Sequence, residues 1–395
     1  MSKTYVSPVI VTSLNSLKIN NEFSDNILES LNRLSDKGHS VIVVSNNYFD
    51  KKVKENLSTK GIICMREVGR QDGKIIQKIA EKNEINTYDV VVLSSKEEDL
   101  SMGKRGGAVV LSASWASTNR EPNEHNHLSN SYGIPIEKIE DLEHIIEIMR
   151  VYPGDWWFYA KKDNYKLYSL ADFSTHLKSY DQEKFAKKLT SIVKNGTSFD
   201  NLHLNSILAL LTRSFLINKE QYPEKQLFGV YPSSKSKNDD TEVLSNFTHR
   251  FRTVVSTVRL AKRGEPLFIR HKESIKRSNA KNINRNDPTD QIQSIHINPF
   301  YKGKIKGRHI IIIDDCTTYG ISIAVAAAFL KKAGASAISG ITIGKFGDRL
   351  KCYNIDIKSD PFTPVQSFSV DESEFEEIFN SKSHNLECIM NMLTH

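Results

Sequence analysis

One segment of the chain combines apolar, acidic, hydroxyl and glycine residues in an order suited to binding a phosphate group. Residues 310–322 read IIIIDDCTTYGIS. The four isoleucines predict a buried strand, and the residues from Ile321 onward predict a helix. A short loop between a strand and a helix N-terminus presents backbone N–H groups without intrahelical partners, and the helix dipole favours an anion there. The segment therefore predicts an anion site.

The side chains of this loop suggest how a ligand is divided among them. Gly320 allows close approach of the backbone, and the hydroxyls of Thr318 and Ser322 add donors. Asp314 and Asp315 suit ribose hydroxyls, or a magnesium ion bound directly or through water. The alternative is that the acid pair only caps the helix and the threonines form a plain turn. That alternative leaves two adjacent carboxylates uncompensated, which is electrostatically costly.

The segment resembles the signature of the type I phosphoribosyltransferase family: four apolar residues, two acids and a loop of the form V-x-T-T-G-x-T. The resemblance implies that Asp314 and Asp315 contact the ribose 2- and 3-hydroxyls of phosphoribosyl pyrophosphate (PRPP), with magnesium as cofactor. Tyr319 departs from the family pattern, which most often has threonine there. The residues implied for the 5-phosphate site are Thr317, Thr318, Tyr319, Gly320, Ile321 and Ser322.

Two basic segments lie upstream. In the family, pyrophosphate is held at the end of the first strand of the domain, here Tyr231–Lys237. The residues implied as donors are Ser233, Ser234, Lys235 and Lys237. Arg270, with its neighbours His271, Lys272, Lys276 and Arg277, resembles the basic segment of the ComF-like branch. Lys235 and Arg270 would then stabilise the departing pyrophosphate. Surface charge is the alternative interpretation, and no residue stands out as a general base.

The rest of the chain predicts an α/β protein with two domains, each a mainly parallel sheet flanked by helices. Short apolar runs alternate with helical patterns before residue 150 and again after residue 225, which is typical of this fold class. We predict domains at 1–150 and 225–354, a helical and aromatic connector at 151–224, and a C-terminal extension at 355–395.

Residues 8–112 resemble the haloacid dehalogenase (HAD) layout but lack its catalytic acids. The family requires aspartates in the form DxDxT, whereas this chain has Ser13 and Asn15 at the corresponding place. A serine cannot form an aspartyl-phosphate. Ser94 and Ser95 also stand where Gly-Asp is expected. We therefore expect a catalytically inactive domain that docks a protein partner. Ser45 and Lys74 are either a residual phosphate-binding pair or an ordinary strand end and a surface lysine.

Charge and composition limit the other functional classes. The chain has 395 residues and a net charge of +7, and residues 250–285 hold eleven Lys/Arg against two acids. Such a region could bind nucleic acid or be a solvated face. The absence of a long apolar run predicts no membrane span, and the four cysteines lack metal-ligand spacing. We expect a cytoplasmic protein that transfers phosphoribose or that senses PRPP or a nucleotide. The pairing of a HAD-like domain with a phosphoribosyltransferase-like domain resembles pairings in bacterial stress or defence operons.

Overall fold

The computed structural model describes residues 6–119, 132–176, 178–195, 201–218, 226–256, 261–274 and 286–380. These residues form two compact units. The first unit takes residues 1–154, 200–219 and 250–257, and the second takes 155–199, 220–249 and 258–395. The described α-helices are α1 (Asp25–Asp36), α2 (Lys51–Thr59), α3 (Lys74–Lys82), α4 (Glu97–Gly106), α5 (Ile139–Val151), α6 (Tyr180–Asn195), α7 (Asn201–Ile217), α8 (Val243–Val255), α9 (Thr289–Ile292) and α10 (Ile321–Lys332).

The first unit is built on a parallel sheet. Its strands are β1 (Val9–Thr12), β4 (Val41–Ser45), β5 (Ile62–Arg66), β6 (Val90–Ser94), β7 (Val109–Ala113) and β8 (Ile134–Ile136), with β2 (Lys18–Ile19) and β3 (Glu22–Phe23) as a separate hairpin. The order is β5-β4-β1-β6-β7-β8, and every pair is parallel. Central strands such as β4 and β6 are apolar and buried, as expected when both faces of a sheet are covered.

Local signals set the ends of several helices in the first unit. The carboxylate of Asp50 accepts hydrogen bonds from the backbone N–H groups of Lys52 and Val53, which is an N-cap for α2. Helix α4 carries three acids in its first turn and two basic residues in its last turn, in agreement with the helix dipole. The residue that follows the helix, Gly107, has a φ of 79°, which is the left-handed conformation typical of a glycine at a helix C-terminus.

The second unit contains a mixed sheet and two small two-stranded antiparallel sheets. Its strands are β9 (Phe158–Lys162), β10 (Tyr165–Asp172), β11 (Gln226–Val230), β12 (Phe268–Arg270), β13 (Ile295–Ile297), β14 (His309–Thr317), β15 (Ala337–Lys345), β16 (Cys352–Ile357), β17 (Phe368–Ser373) and β18 (Glu377–Asn380). The sheet order is β11-β14-β15-β10-β9-β18. The first four strands run parallel, whereas β9 is antiparallel to β10 and to β18. The predicted α/β class with two mainly parallel sheets is confirmed.

The unit boundaries differ from the predicted domain boundaries. The predicted connector 151–224 contributes β9 and β10 to the second sheet, while α7 belongs to the first unit. Phe158 of the aromatic cluster is fully buried in the second core. The predicted extension contributes β18, which pairs with β9. Strands β9 and β10 were missed because their apolar residues are mixed with tyrosines and lysines, so the sequence shows no clean strand periodicity.

Parts of the predicted segments lie outside the described residues. They are residues 120–131 of the first predicted domain, residues 177, 196–200 and 219–224 of the predicted connector, and the end of the predicted extension from residue 381. Among the described helices, none has the length and apolar character needed to cross a bilayer.

A buried ion pair makes α7 part of the first unit. The guanidinium of Arg213 donates to one carboxylate oxygen of Asp89 through Nε (3.1 Å) and NH2 (2.6 Å). Its NH1 donates to the carbonyl of Tyr152 at 2.6 Å. Both side chains of the pair are at least nine-tenths buried, so removal of either partner leaves an uncompensated charge.

We predict that Arg213→Ala lowers the free energy of unfolding by about 3–5 kcal/mol, because Asp89 would remain buried and unpaired. Lys187→Ala is the control: it removes an exposed pair with Glu183 on α6 and should cost no more than about 0.5 kcal/mol. Urea unfolding measures both. Similar losses for the two variants would contradict this role for the buried pair.

Candidate functional site

Three strands of the second sheet end together at one edge. In the parallel register, Val230 of β11 lies opposite Ile313 of β14, and Thr317 of β14 lies opposite Lys345 of β15. The backbone N–H of Tyr231 extends the first of these ladders by donating to the carbonyl of Ile313 at 3.0 Å. Because the carboxyl ends of parallel strands share an edge, the loops that follow them are neighbours. This edge holds both loops that the sequence analysis selected.

The acid pair lies at the end of β14. Asp314 is buried and Asp315 is partly exposed. One oxygen of each carboxylate accepts a hydrogen bond from the next backbone N–H, Asp315 N at 2.9 Å and Cys316 N at 2.5 Å. Helix α10 has Gly320 as its N-cap, with no side-chain capping hydrogen bond. The donors of these two bonds belong to β14 and not to α10.

Residues 317–322, called here the β14 loop, form a tight turn into α10. The hydroxyl of Thr317 accepts a hydrogen bond from the N–H of Gly320 at 2.9 Å. Gly320 has a φ of 79°, a left-handed conformation that glycine adopts without steric cost. Thr318 is exposed and Ser322 partly exposed. The first-turn N–H groups of α10 lack intrahelical acceptors, as in any helix, so the loop has the donors that an oxyanion requires.

Gly320 is required by the packing behind the loop as well as by its backbone conformation. A Cβ atom at Gly320 would lie 2.8 Å from Cδ1 of Leu350 and 3.5 Å from Cδ2 of Leu167. The position where a side chain would project thus faces protein. A larger residue at Gly320 would strain the turn with or without phosphate, so such a substitution cannot report on phosphate binding. Tyr319 packs partly buried against the same core, and its carbonyl accepts from Lys351 N at 3.1 Å.

Residues 231–237, called here the β11 loop, are mostly open to solvent. Ser233, Lys235 and Lys237 are exposed, and Ser234 is partly exposed. The ammonium of Lys235 lies 3.9 Å from Glu273, and the hydroxyl of Ser233 donates to Glu242 at 2.9 Å. Such exposed contacts are weak. The exposed side chains of Lys235 and Lys237 can therefore turn toward an anion.

Arg270 is placed differently from the sequence-based expectation. It is 5% exposed, and its guanidinium donates to the carbonyls of Ser233 (2.5 Å) and Pro232 (2.9 Å) and to the hydroxyl of Ser294 (2.8 Å). These bonds engage Nε, NH1 and NH2. Arg270 therefore holds the β11 loop from behind and does not present its charge to solvent, because β12 directs the side chain under that loop.

Gln291 on α9 is a site residue that the sequence analysis missed. Its side-chain oxygen accepts from the hydroxyl of Tyr231 at 3.2 Å, and its amide nitrogen lies 3.5 Å from Ser322 Oγ. The side chain thus bridges the β11 loop and the β14 loop. No local pattern marks it, because it lies in a single helical turn of a polar segment.

Lys345 is a second missed residue, and it supports the β14 loop from the end of β15. Its side chain is fully buried, and the ammonium donates to the carbonyls of Thr318 (2.9 Å), Gly347 (2.7 Å) and Arg349 (2.8 Å). Burial lowers the pKa of Lys345 to about 8, although Asp348 and Asp172 partly oppose the shift. The sequence feature that could have identified it is a single lysine at the end of the uncharged strand segment ISGITIG.

The corresponding edge of the first unit is closed by its own side chains. Ser13 follows β1 and Ser95 follows β6, and both bind the fully buried carboxylate of Asp99. Ser13 Oγ donates to Asp99 Oδ2 at 2.7 Å, and Ser95 N donates to the same oxygen at 3.2 Å. The other carboxylate oxygen lies 3.1 Å from the guanidinium of Arg70. A protein cation therefore neutralises this acid from within the fold.

Ser45 and Lys74 have local partners in the structure. The hydroxyl of Ser45 accepts from Asn47 N at 3.1 Å. The Lys74 side chain is 77% exposed, and its ammonium lies 3.7 Å from Asp72. These contacts are those of a strand end and a surface lysine.

The basic region 250–285 is not a single exposed face in the part that the structure describes. Arg250 and Arg252 are buried in the first unit, and Arg270 is buried in the second. Residues 257–260 and 275–285, which include Lys276 and Arg277, lie outside the described residues.

Comparison with known proteins gives little similarity. No family model matches the chain, and no curated protein matches it. Among solved structures, the chain is similar to a HAD family hydrolase from Streptomyces avermitilis MA-4680, with 12% identity, 27% of this chain and 67% of that chain covered, and a TM-score of 0.23. A likeness of that extent carries no argument about activity.

We predict that Lys345→Met changes how the free energy of unfolding depends on pH. Above pH 8 the folded wild type has released a proton that the unfolded lysine, with a pKa near 10.5, still binds. Between pH 8 and pH 10.5, the free energy of unfolding of the wild type should therefore rise relative to that of the variant, by up to about 1.4 kcal/mol per pH unit. Urea unfolding from pH 7 to pH 10 measures the difference. Parallel pH profiles for the two proteins would contradict the assignment.

Proposed function

We propose that the second unit binds PRPP at the edge formed by the β11 and β14 loops. The proposal is carried by one observation: two different kinds of anion donor, the β11 loop and the β14 loop, lie at one edge of the sheet. An acid pair lies near the end of β14, the strand between β11 and β15. The β14 loop offers helix N-terminal amides and hydroxyls, whereas the β11 loop offers exposed cations. PRPP has a phosphate at one end, a pyrophosphate at the other and ribose hydroxyls between.

The proposed roles follow from this placement. Thr318, Ser322 and the amides of the β14 loop would bind the 5-phosphate. Asp314 and Asp315 would accept hydrogen bonds from the ribose hydroxyls. The β11 loop would bind pyrophosphate through Lys235 and Lys237 together with the hydroxyls of Ser233 and Ser234.

The acid pair also fits magnesium as a cofactor. Carboxylate oxygens are the hard ligands that this ion prefers, and it commonly takes its remaining ligands from water and substrate phosphates. Among the described residues, no group of three or more His, Cys, Asp or Glu side chains could hold a metal ion alone. Asp314 and Asp315 would hold the ion, and the ion would supply positive charge to stabilise the departing pyrophosphate.

The proposed reaction is transfer of phosphoribose to an acceptor with release of pyrophosphate. The bond between the anomeric carbon and the pyrophosphate oxygen breaks, and a bond to the acceptor forms at the same carbon. The electron pair of the breaking bond leaves with pyrophosphate, whose charge Lys235 and Lys237 stabilise. Arg270 acts as a positioning residue, since it fixes the carbonyls of the β11 loop.

Binding without turnover is the second candidate function, and Arg270 favours it. The arginine expected to assist the departing pyrophosphate is engaged by two carbonyls and a hydroxyl. Tyr319 also replaces the usual threonine of the family loop. Under this alternative, the second unit senses PRPP or a nucleotide, and the first unit relays the signal as a HAD-like docking domain without catalysis. The internal Arg70 and Asp99 pair supports its inactivity.

The two candidates are separated by a pyrophosphate-release assay with PRPP, magnesium and a panel of nucleobases as acceptors. Release with one acceptor supports transfer. Saturable PRPP binding without release for any acceptor supports the sensor.

We predict that the double substitution Asp314→Asn and Asp315→Asn weakens PRPP binding at least tenfold, because amides are poorer acceptors for ribose hydroxyls and do not hold magnesium. Calorimetry with PRPP and magnesium measures the affinity. Asp371→Asn, on the exposed β16–β17 hairpin, is the control and should bind as the wild type does. Equal affinity for the double variant and the wild type would contradict the site assignment.

A further inference from the structure

Two histidines of the second unit face each other beside the β11 loop. His271 directly follows β12, and His296 is the central residue of β13. Their Nδ1 atoms are 3.1 Å apart, and their ring centroids are 5.1 Å apart with the ring planes tilted by 40°. His271 is exposed and His296 partly exposed. The pair is therefore open to ions from solvent.

Both rings favour the neutral form, which is the form that binds metals. Partial burial lowers the pKa of His271, and the nearby charges of Arg270 and Lys272 lower it further, against a backbone contact with Gln293 that raises it. Burial, and then His271 itself, lowers the pKa of His296. A second proton on the pair would also place two like charges 3.1 Å apart.

The distance between the two nitrogens suits a chelate. With metal–nitrogen bonds of about 2.1 Å, nitrogens that are 3.1 Å apart subtend about 95° at the metal. That angle lies between the octahedral value and the tetrahedral value, so borderline ions such as Zn²⁺, Co²⁺ or Ni²⁺ can accept both nitrogens with little rearrangement.

The two-stranded β12–β13 sheet holds the two rings in place. Ile269 lies opposite His296 in the β12–β13 ladder, and the backbone N–H of His271 donates to the carbonyl of Ser294 at 3.1 Å. Arg270, which lies between Ile269 and His271 in the sequence, is anchored under the β11 loop. A preformed pair of ligands loses less conformational entropy on binding than two independent side chains.

We propose that His271 and His296 bind a divalent transition-metal ion through their Nδ1 atoms. Among the described residues, no third His, Cys, Asp or Glu completes a ligand group, so the other coordination positions are left to water or an oxyanion. The exposed ammonium of Lys272 favours an anionic co-ligand, which would also offset the repulsion between the metal ion and the nearby positive charges. The β11 loop adjoins the pair, because Ser274 N donates to the carbonyl of Ser234 at 3.2 Å. The metal site itself does not depend on PRPP binding.

Calorimetric titration of the full chain with Zn²⁺ at pH 7.5 tests this site. The wild type should bind a Zn²⁺ ion that both His271→Gln and His296→Gln lose, with at least a tenfold fall in affinity for that ion. His176→Gln removes an exposed histidine elsewhere in the unit and should bind as the wild type does. Thermal unfolding without metal shows whether each variant is folded, and Co²⁺ absorption spectra report the ligand change independently.

Three results would overturn the proposal. They are a wild type that binds no Zn²⁺ at tens of micromolar, variants that bind as the wild type does, and loss of the ion in only one of the two variants. The last result would mean that the pair is a hydrogen bond and not a chelate. None of these outcomes bears on PRPP binding, which calorimetry with PRPP tests separately.

Discussion

The parallel register of β14 with its two neighbours is the constraint on which the candidate site depends. Because β11 and β15 pair with β14 in the same direction, their polar ends meet at one edge. A shift of β14 along its neighbours would either draw Asp314 and Asp315 further into the sheet, where an uncompensated charge is costly, or withdraw isoleucines from it. The apolar run from Ile310 to Ile313, which is fully buried, therefore also fixes where Asp314 lies relative to the β11 loop.

Buried cations then hold the loops that leave this edge. Arg270 binds carbonyls of the β11 loop, and Lys345 binds carbonyls behind the β14 loop. Burial of a charged group costs free energy unless its hydrogen bonds are satisfied, and here backbone oxygens satisfy both groups. The first unit uses a related device in a different way: Arg70 neutralises Asp99, so that edge is filled by protein. The contrast is why the proposed ligand is assigned to the second unit.

Elements with strong periodicity were predictable from the sequence. The helical pattern KIIQKIAEK predicts the helix that is observed at Lys74–Lys82, and the apolar runs SVIVVS (40–45) and DVVVLS (89–94) predict the strands that are observed at Val41–Ser45 and Val90–Ser94. The β14 loop was also predictable, because an apolar strand, an acid pair and a glycine are adjacent in sequence. The grouping of β9 and β10 with the second sheet was not predictable, since it depends on pairing with β15, more than 170 residues away.

The roles of side chains within the site were less predictable than its position. Arg270 looked like a free cation because composition shows charge but not burial or partners. Gln291 and Lys345 escaped notice because each acts through contacts with loops distant in sequence. Gly320 was predicted to let the backbone approach an anion, and that stays a prediction; the structure adds that Leu350 occupies the space where a side chain at this position would lie.

A crystal structure of the protein with PRPP and magnesium tests the central claim most directly. The account predicts the 5-phosphate at the amides of the β14 loop, the ribose hydroxyls at Asp314 and Asp315, and the pyrophosphate beside Lys235 and Lys237. Electron density for PRPP at any other place, with the edge between the two loops empty, would contradict it.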